Sequence, residues 1–358
     1  MKTFRTVFPT YRAPITLTHA DRLLLLGSCF TEHIGVRLET GKFTTLVNPN
    51  GIVYNPVSIA RTLSFLLWER PDSSGLIRPN HERIENSLHG SISELNDERI
   101  ENSPHNSLFE HNGLWHSWEH HGIFSKPDRQ ATEDGIRLAQ QQATMFLQKT
   151  DYLMLTLGTA EVFSLRETGQ VVANCHKAPA GRFEQRRLTV SETVQALSDV
   201  LTQMKAKFPE IRVILTVSPV RHMRNGFVEN QRSKAVLTLA CAELCEQFDY
   251  IHYFPAYELL LDDLRDYRFY TADMIHPNDQ AVDYIWQYFS ETFFTPETQR
   301  LLDQIGKIVA AARHRPFNPD TAEHRAFARA QLEKIEGLVR ENPGLRFEAE
   351  RAIFEQVL

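Results

Sequence analysis

The sequence predicts an α/β protein built on a mostly parallel sheet, and three observations carry that class. Five short apolar runs recur between residues 23 and 255; helical patterns fill the intervals; and most of the runs are apolar almost throughout instead of at alternate positions. A strand that is apolar on both faces is covered by helices on both, the condition of a central strand in a parallel sheet. With 358 residues, 42% of them apolar and 23% charged, the chain is long enough for one large core or two smaller ones.

The runs are LLLLG (23–27), FTTLV (43–47), DYLMLTLG (151–158), RVILTVSP (212–219) and DYIHYFP (249–255). Thr189 and Glu192 form a capping-box pattern ahead of Val194, Leu197, Leu201 and Met204, whose spacing marks one face of a helix. A second helix is expected over about 230–248 and a third after Pro277. Segment 162–175 reads as a β-hairpin turning at Thr168-Gly169, an edge feature or a flap. Residues 70–130, rich in Ser, Asn, His and Pro, read as a long surface insertion between the second and third strands, a candidate lid. Inside it NHERIENSLHGSI (80–92) and NDERIENSPHNSL (96–108) match at nine of thirteen positions, a local duplication of polar units too few to build a solenoid. After residue 293 strand signals stop. The expected organisation is a sheet domain over 1–293 and a helical extension over 294–358 that packs on it or mediates self-association.

Composition excludes several classes of function. Lys plus Arg number 39 against 45 Asp plus Glu, a formal charge of −6, so no global positive field exists to hold nucleic acid or an anionic membrane. The N-terminus lacks a continuous apolar segment and no run is long enough to cross a bilayer, which leads to a cytoplasmic expectation. Cys29, Cys175, Cys241 and Cys245 are too few for a disulfide scaffold and lack paired zinc-ribbon spacing; they read as free thiols.

In open parallel sheets ligands bind at the carboxyl ends of the strands. Ser28 and Cys29 follow the first run, Gly158 and Thr159 the third, and Ser218 to His222 the fourth, while Tyr257 and Glu258 lie just past the fifth. Downstream, Asp273 and His276 stand three apart in YTADMIHPND, a spacing that lets a carboxylate fix an imidazole tautomer while the ring faces a nucleophile. Arg221, His222, Arg265, Asp266 and Arg268 form a second polar set. Arg221 or Arg268 is a candidate clamp for a carboxylate or phosphate, and LRDYRFY otherwise reads as a buried Arg–Asp network. His111, His116, His120 and His121 invite a metal reading, but their spacing fits no ordinary zinc pattern, and a solvated or lid cluster is preferred.

The segments GSCF (27–30), NPNGIVYNPVSIA (48–60), TLGTAEVF (156–163), ANCHKAP (173–179), SPVRH (218–222), NQRSKAVL (230–237) and YFPAYELLLDDLRDYRFYTADMIHP (253–277), in order, resemble the GSCFA proteins, which are similar to the SGNH/GDSL hydrolase superfamily. The resemblance implies a three-layer α/β/α, flavodoxin-like (SGNH-type) fold with a nucleophile after the first strand and a DxxH element that falls on Asp273 and His276. Superfamily members read Gly-Asp-Ser-Leu after that strand, which sets Cys29, not Ser28, at the nucleophile position. The implied oxyanion donors are the nucleophile's amide, a Gly after the second strand, here Gly51, and an Asn after the third, where this chain has Ala160. Thr159, Asn174 and Asn48 are available substitutes, with Gly158 and His176 beside them. A thiol at a helix start is expected to be lowered toward thiolate by the helix dipole and by His276. Against these roles stand plainer ones, Cys29 as a small buried apolar residue and Ser28 as a helix-capping hydroxyl.

The leading expectation is therefore a hydrolase or acyltransferase acting on an ester, a thioester or an acylated saccharide, with Cys29 or Ser28, His276 and Asp273 as its triad. No metal and no organic cofactor is called for. The competing expectations are an inactive binding module that uses the same cleft, and a metal-binding protein working through the insertion histidines.

Overall fold

The computed structural model describes residues 6–71, 77–79, 107–318 and 320–358. Its strands are β1 (Arg22–Gly27), β2 (Thr44–Val47), β3 (Glu69–Pro71), β4 (Ile77–Pro79), β5 (Leu108–His111), β6 (Leu114–Ser117), β7 (Tyr152–Leu157), β8 (Glu161–Leu165), β9 (Val171–Val172), β10 (Phe183–Arg187), β11 (Arg212–Val217) and β12 (Ile251–Phe254). The principal helices are α1 (Cys29–Thr40), α2 (Pro56–Trp68), α3 (Arg129–Leu147), α4 (Val190–Lys207), α5 (Gly226–Gln247), α6 (Asp279–Phe293), α7 (Pro296–Arg313), α8 (Ala322–Glu341) and α9 (Glu348–Glu355).

The five apolar runs form one sheet in the order β12-β11-β7-β1-β2, and every neighbouring pair is parallel. Counting only these five, the order is 2-1-3-4-5, that of flavodoxin-like sheets, whose ligand crevice opens where the order reverses, between β1 and β7. Leu24 and Leu26 point to one face, against α2, α4 and α5; Leu23 and Leu25 point to the other, against Phe30, Ile34 and Leu38 of α1 and Ile285 and Phe289 of α6. The molecule is thus the three-layer α/β/α sandwich expected. At the switch point the chain runs tight: Gly27 has φ 143°, and a Cβ there would lie 2.2 Å from Thr156 O. Only glycine ends β1 this close to its neighbour.

The capping box on α4 is closed in both directions, Thr189 to the Glu192 amide and Glu192 to the Thr189 amide. The hairpin at Thr168-Gly169 is present as β8–β9, and β10 adds to the opposite edge of β8, a strand the sequence reading did not separate. Residues 107–128 correct the picture of one long surface loop. They form the β5–β6 hairpin and a short 3-10 turn, and Trp118 joins Leu165, Val172 and Phe183 in a small apolar core. The repeat over 80–108 lies outside the described residues apart from its last two positions.

Helices α7, α8 and α9 enclose a core of their own around Ile305, Ile335, Leu345 and Phe354. They are fastened to the sheet layers by Lys42, whose Nζ donates to both Glu350 oxygens at 2.7 and 2.8 Å. Among the described residues no helix is long and apolar enough to cross a membrane.

Candidate active site

Asp273 and His276 lie on the turn between Tyr270 and α6. Asp273 Oδ2 accepts the His276 Nδ1 hydrogen at 2.6 Å, while Oδ1 accepts from Thr271 Oγ1, the Ile275 amide and the His276 amide. Those donors, Thr271 first, hold the Asp273 carboxyl below the usual carboxylate range. The turn is therefore self-assembled. A charged carboxylate fixes the imidazole with Nδ1 as donor and leaves Nε2 for another partner, in a dyad whose side chains remain 45% and 41% exposed. Arg221 holds the same turn from the end of β11. Its amide donates to Ile275 O, its Nη1 donates to Met274 O at 2.9 Å, and its guanidinium lies 4.1 Å from the Tyr270 ring centre. It braces the dyad rather than standing free as a substrate clamp.

At the end of β1, Ser28 is 2% exposed and caps α1, its Oγ accepting from the Phe30 amide at 3.3 Å. Cys29 is the first residue of the helix and is only half-buried. Its thiol corrects the expectation of an activated, lowered group. Burial, and then the Glu32 carboxylate, push it above the ordinary thiol range, outweighing the helix-terminal amides and Lys234, which act the other way. Among the described residues no hydrogen bond joins the His276 ring to Ser28 or Cys29. The ring instead lies within electrostatic reach of His33, one helical turn beyond Cys29. Catalytic contacts of this kind commonly close only around substrate.

A residue that sequence reasoning did not nominate lies behind this corner. Lys234, 1% exposed, donates from Nζ to Gly158 O at 2.7 Å and to Ser218 O at 2.6 Å, joining the ends of β7 and β11. Burial pulls its amine down to about 7, against the opposing fields of Cys29 and Glu258. Two neighbours do related work. Ser233 Oγ accepts from the Ala160 amide at 2.7 Å and bonds Thr159 Oγ1 at 3.0 Å, and Asn230 Oδ1 accepts from the His222 amide at 2.8 Å. The available signal was periodicity: Asn230, Ser233, Lys234, Leu237, Cys241 and Leu244 share one helix stripe, so three polar residues occupy core-facing positions.

The remaining candidates divide into groups. The Gly51 amide donates to Asn48 O inside its own turn, and a Cβ on Gly51 would sit 2.3 Å from His121 Cβ. Asn48 Oδ1 accepts from the Gly27 amide at 2.9 Å. The Gly158 and Thr159 amides both donate to Tyr54 O, and Gly158 packs beside Ser28. Thr159, Asn174, His176 and His222 line one cavity of about 400 Å³ between the strand ends and the β8–β10 sheet. There Asn174 Oδ1 caps the His176 amide, and His176 Nε2 bonds Ser117 O at 2.7 Å; burial lowers the His176 imidazole to about 4. Arg268 and Asp266 correct the expectation of a buried network. They form an exposed local pair at 3.0 Å, with Asp266 capping the turn that follows, and Arg265 takes a left-handed backbone at the preceding bend. The four insertion histidines divide: His116 and His120 are buried, bonded to Ser125 and Ser117 respectively, while His111 and His121 stay half-buried. Among the described residues no three His, Cys, Asp or Glu side chains converge as a metal site.

A parallel α/β sandwich with a flavodoxin-like strand order, a His–Asp turn and a strand-to-helix corner at its carboxyl edge defines the class. The profile of the GSCFA family matches residues 22–105 and 91–289, and the chain belongs to that family. The two matches overlap at 91–105, within the duplicated segment. A second profile, the C-terminal domain of GSCFA domain proteins, matches residues 305–358, the stretch that encloses the separate helical core. No curated protein matches the sequence. Among solved structures, a carbohydrate esterase family 3 protein from Talaromyces cellulolyticus is similar at 11% identity and a TM-score of 0.33, over 79% of this chain and 98% of that one.

Proposed function

We propose that the protein is an acyl-ester or thioester hydrolase, or an acyltransferase, in which Cys29 is the nucleophile and His276 and Asp273 are its base and orienting acid. The observation that carries this reading is the 2.6 Å Asp273–His276 hydrogen bond, on a carboxylate kept charged by three further donors at the carboxyl edge of the sheet. Family membership agrees with it. In the proposed reaction Cys29 Sγ attacks the acyl carbonyl as His276 Nε2 takes the thiol proton. Collapse of the tetrahedral intermediate breaks the carbonyl bond to the leaving oxygen or sulfur, which receives that proton from His276. Water, or an acceptor hydroxyl activated by the same imidazole, then cleaves the thioester. Ser28, whose hydroxyl caps α1, is assigned the supporting role, and the Cys29 amide is one oxyanion donor.

The test is a comparison of Cys29→Ala, Ser28→Ala and His276→Ala with the wild type on p-nitrophenyl and thiophenyl acetates. Loss of turnover in the first and third, with Ser28→Ala retaining most of it, is the expected result; Cys29→Ala equal to wild type removes the thiol mechanism. A second reading, an inactive module binding ligands in the same cleft, is favoured by the raised Cys29 thiol and by Ala160 in place of a side-chain oxyanion donor, whose loss typically lowers rates about 10²–10³-fold. Wild-type turnover no greater than that of Cys29→Ala on every acyl donor supports it.

A further inference from the structure

The cavity beside the proposed nucleophile has a polarity that points to its occupant. Tyr54 connects the two, since it lines the cavity and its phenol lies in the field of Cys29. On the buried side stands Glu161, 8% exposed, its Oε2 taking, among the described residues, long contacts from Gln185 at 3.3 Å and Asn225 at 3.5 Å. On the exposed side stand two cations, Arg224 and Lys177. The Arg224 guanidinium lies over the Phe163 ring at 4.3 Å, and among the described residues no carboxylate pairs with either cation. The guanidinium also donates to the Cys175 thiol, and an arginine packed on an aromatic face keeps its remaining edge donors for a planar or tetrahedral oxyanion. Lys177 reaches the rim from consecutive left-handed residues, His176 at φ 47° and Lys177 at φ 57°, a conformation non-glycine residues rarely hold without surrounding support. Here the support is the Asn174 cap and the His176–Ser117 hydrogen bond.

We propose that this cavity is the substrate-recognition subsite and that it selects a polyhydroxylated molecule carrying one oxyanion, a carboxylate or a phosphate, with hydroxyls donating to Glu161 and the anion held by Arg224 and Lys177. The inference rests on the acyl-transfer reading, since it names the part of the substrate that reading leaves open. Recognition itself does not require Cys29.

Binding therefore tests it separately from turnover. Glucuronate, glucose 6-phosphate and glucose are titrated calorimetrically into the full chain, into Arg224→Met and into Lys177→Met. The expected result is that at least one charged probe binds tenfold or more tightly than glucose, that the preference falls at least tenfold in Arg224→Met and less in Lys177→Met, and that added salt weakens it. Binding of glucuronate alone assigns a carboxylate, of the phosphate alone a phosphate, and of both the shared oxyanion. Glucose binding as tightly as the charged probes, unchanged affinity in Arg224→Met, or no binding of any probe overturns the subsite. Lost turnover in Cys29→Ala beside absent probe binding refutes the subsite alone; intact probe binding beside unchanged turnover in Cys29→Ala refutes the acyl-transfer reading alone.

Discussion

The two halves of the candidate site are built in opposite ways. The Asp273–His276 turn is exposed and local, since among the described residues Thr271, Ile275 and His276 supply every hydrogen bond that holds its carboxylate. The Ser28–Cys29 corner, with Ser28 buried and Cys29 half-buried, is assembled from β1, β7, β11 and α5, and its thiol is pushed up by its surroundings. The contrast teaches that, on the proposed mechanism, the acid–base half is already poised, whereas the half that carries the proposed nucleophile is structurally secured with its thiol held above the ordinary range. On the proposed mechanism substrate closure or a proton taken by His276 supplies the difference, because the field of Lys234 already acts on the thiol and is outweighed.

The most damaging change to that division is in the dyad. Asp273→Asn leaves the turn's shape nearly intact but withdraws the carboxylate that fixes the imidazole tautomer, and turnover on acyl esters is expected to fall about 10⁴-fold with KM little changed. Steady-state kinetics check it. Next comes the scaffold of the buried half. Lys234→Met leaves Gly158 O and Ser218 O without their donor, each unpaired buried carbonyl costing ~1–3 kcal/mol, so denaturant unfolding should shift to clearly lower midpoints. Unchanged stability would show the lysine to be incidental.

A smaller effect sharpens the electrostatics. Alkylation of Cys29 by iodoacetamide should accelerate only at alkaline pH, above the ordinary thiol range. Glu32→Gln should move that midpoint down and Lys234→Met up, because the carboxylate disfavours the thiolate and the ammonium favours it. Fully buried Cys241 serves as the inert reference. Smallest is the pH response of the turn. A carboxylate depressed in the folded state contributes stability that is present above its unfolded value, about 4, and is lost as pH falls through the lower folded value. Carboxyl NMR titration of Asp273 should show that depression, and Thr271→Val should raise the value toward normal by removing the first of its donors.

What the sequence disclosed follows the same divide. The five strands were legible because each is a short apolar run, and the dyad because its two members lie three residues apart. Lys234 was not, since its partners Gly158 and Ser218 stand 76 and 16 positions away and only the fold brings them together. The Cys29 thiol is raised where its helix position alone predicts a lowered one, for a related reason. Helix position is local and readable, but the degree to which the fold buries the thiol is not, and burial is the larger effect. Likewise Arg221 reads as a free cation in SPVRH and becomes a brace only beside Tyr270 and Met274. Two of the histidines expected to be solvated, His116 and His120, turn inward to the Ser125 and Ser117 hydroxyls, partners that only the folded β5–β6 hairpin and the turn after it bring within reach.

The most direct test of the central claim is to trap the acyl-enzyme: p-nitrophenyl acetate is mixed with the protein, the reaction is quenched in acid, and the adduct is located by peptide mass spectrometry. A hydroxylamine-labile acetyl group on Cys29, retained in Ser28→Ala and formed far more slowly in His276→Ala, is the predicted result. An acetyl group on Ser28, or turnover that persists in Cys29→Ala with no adduct at residue 29, would contradict it.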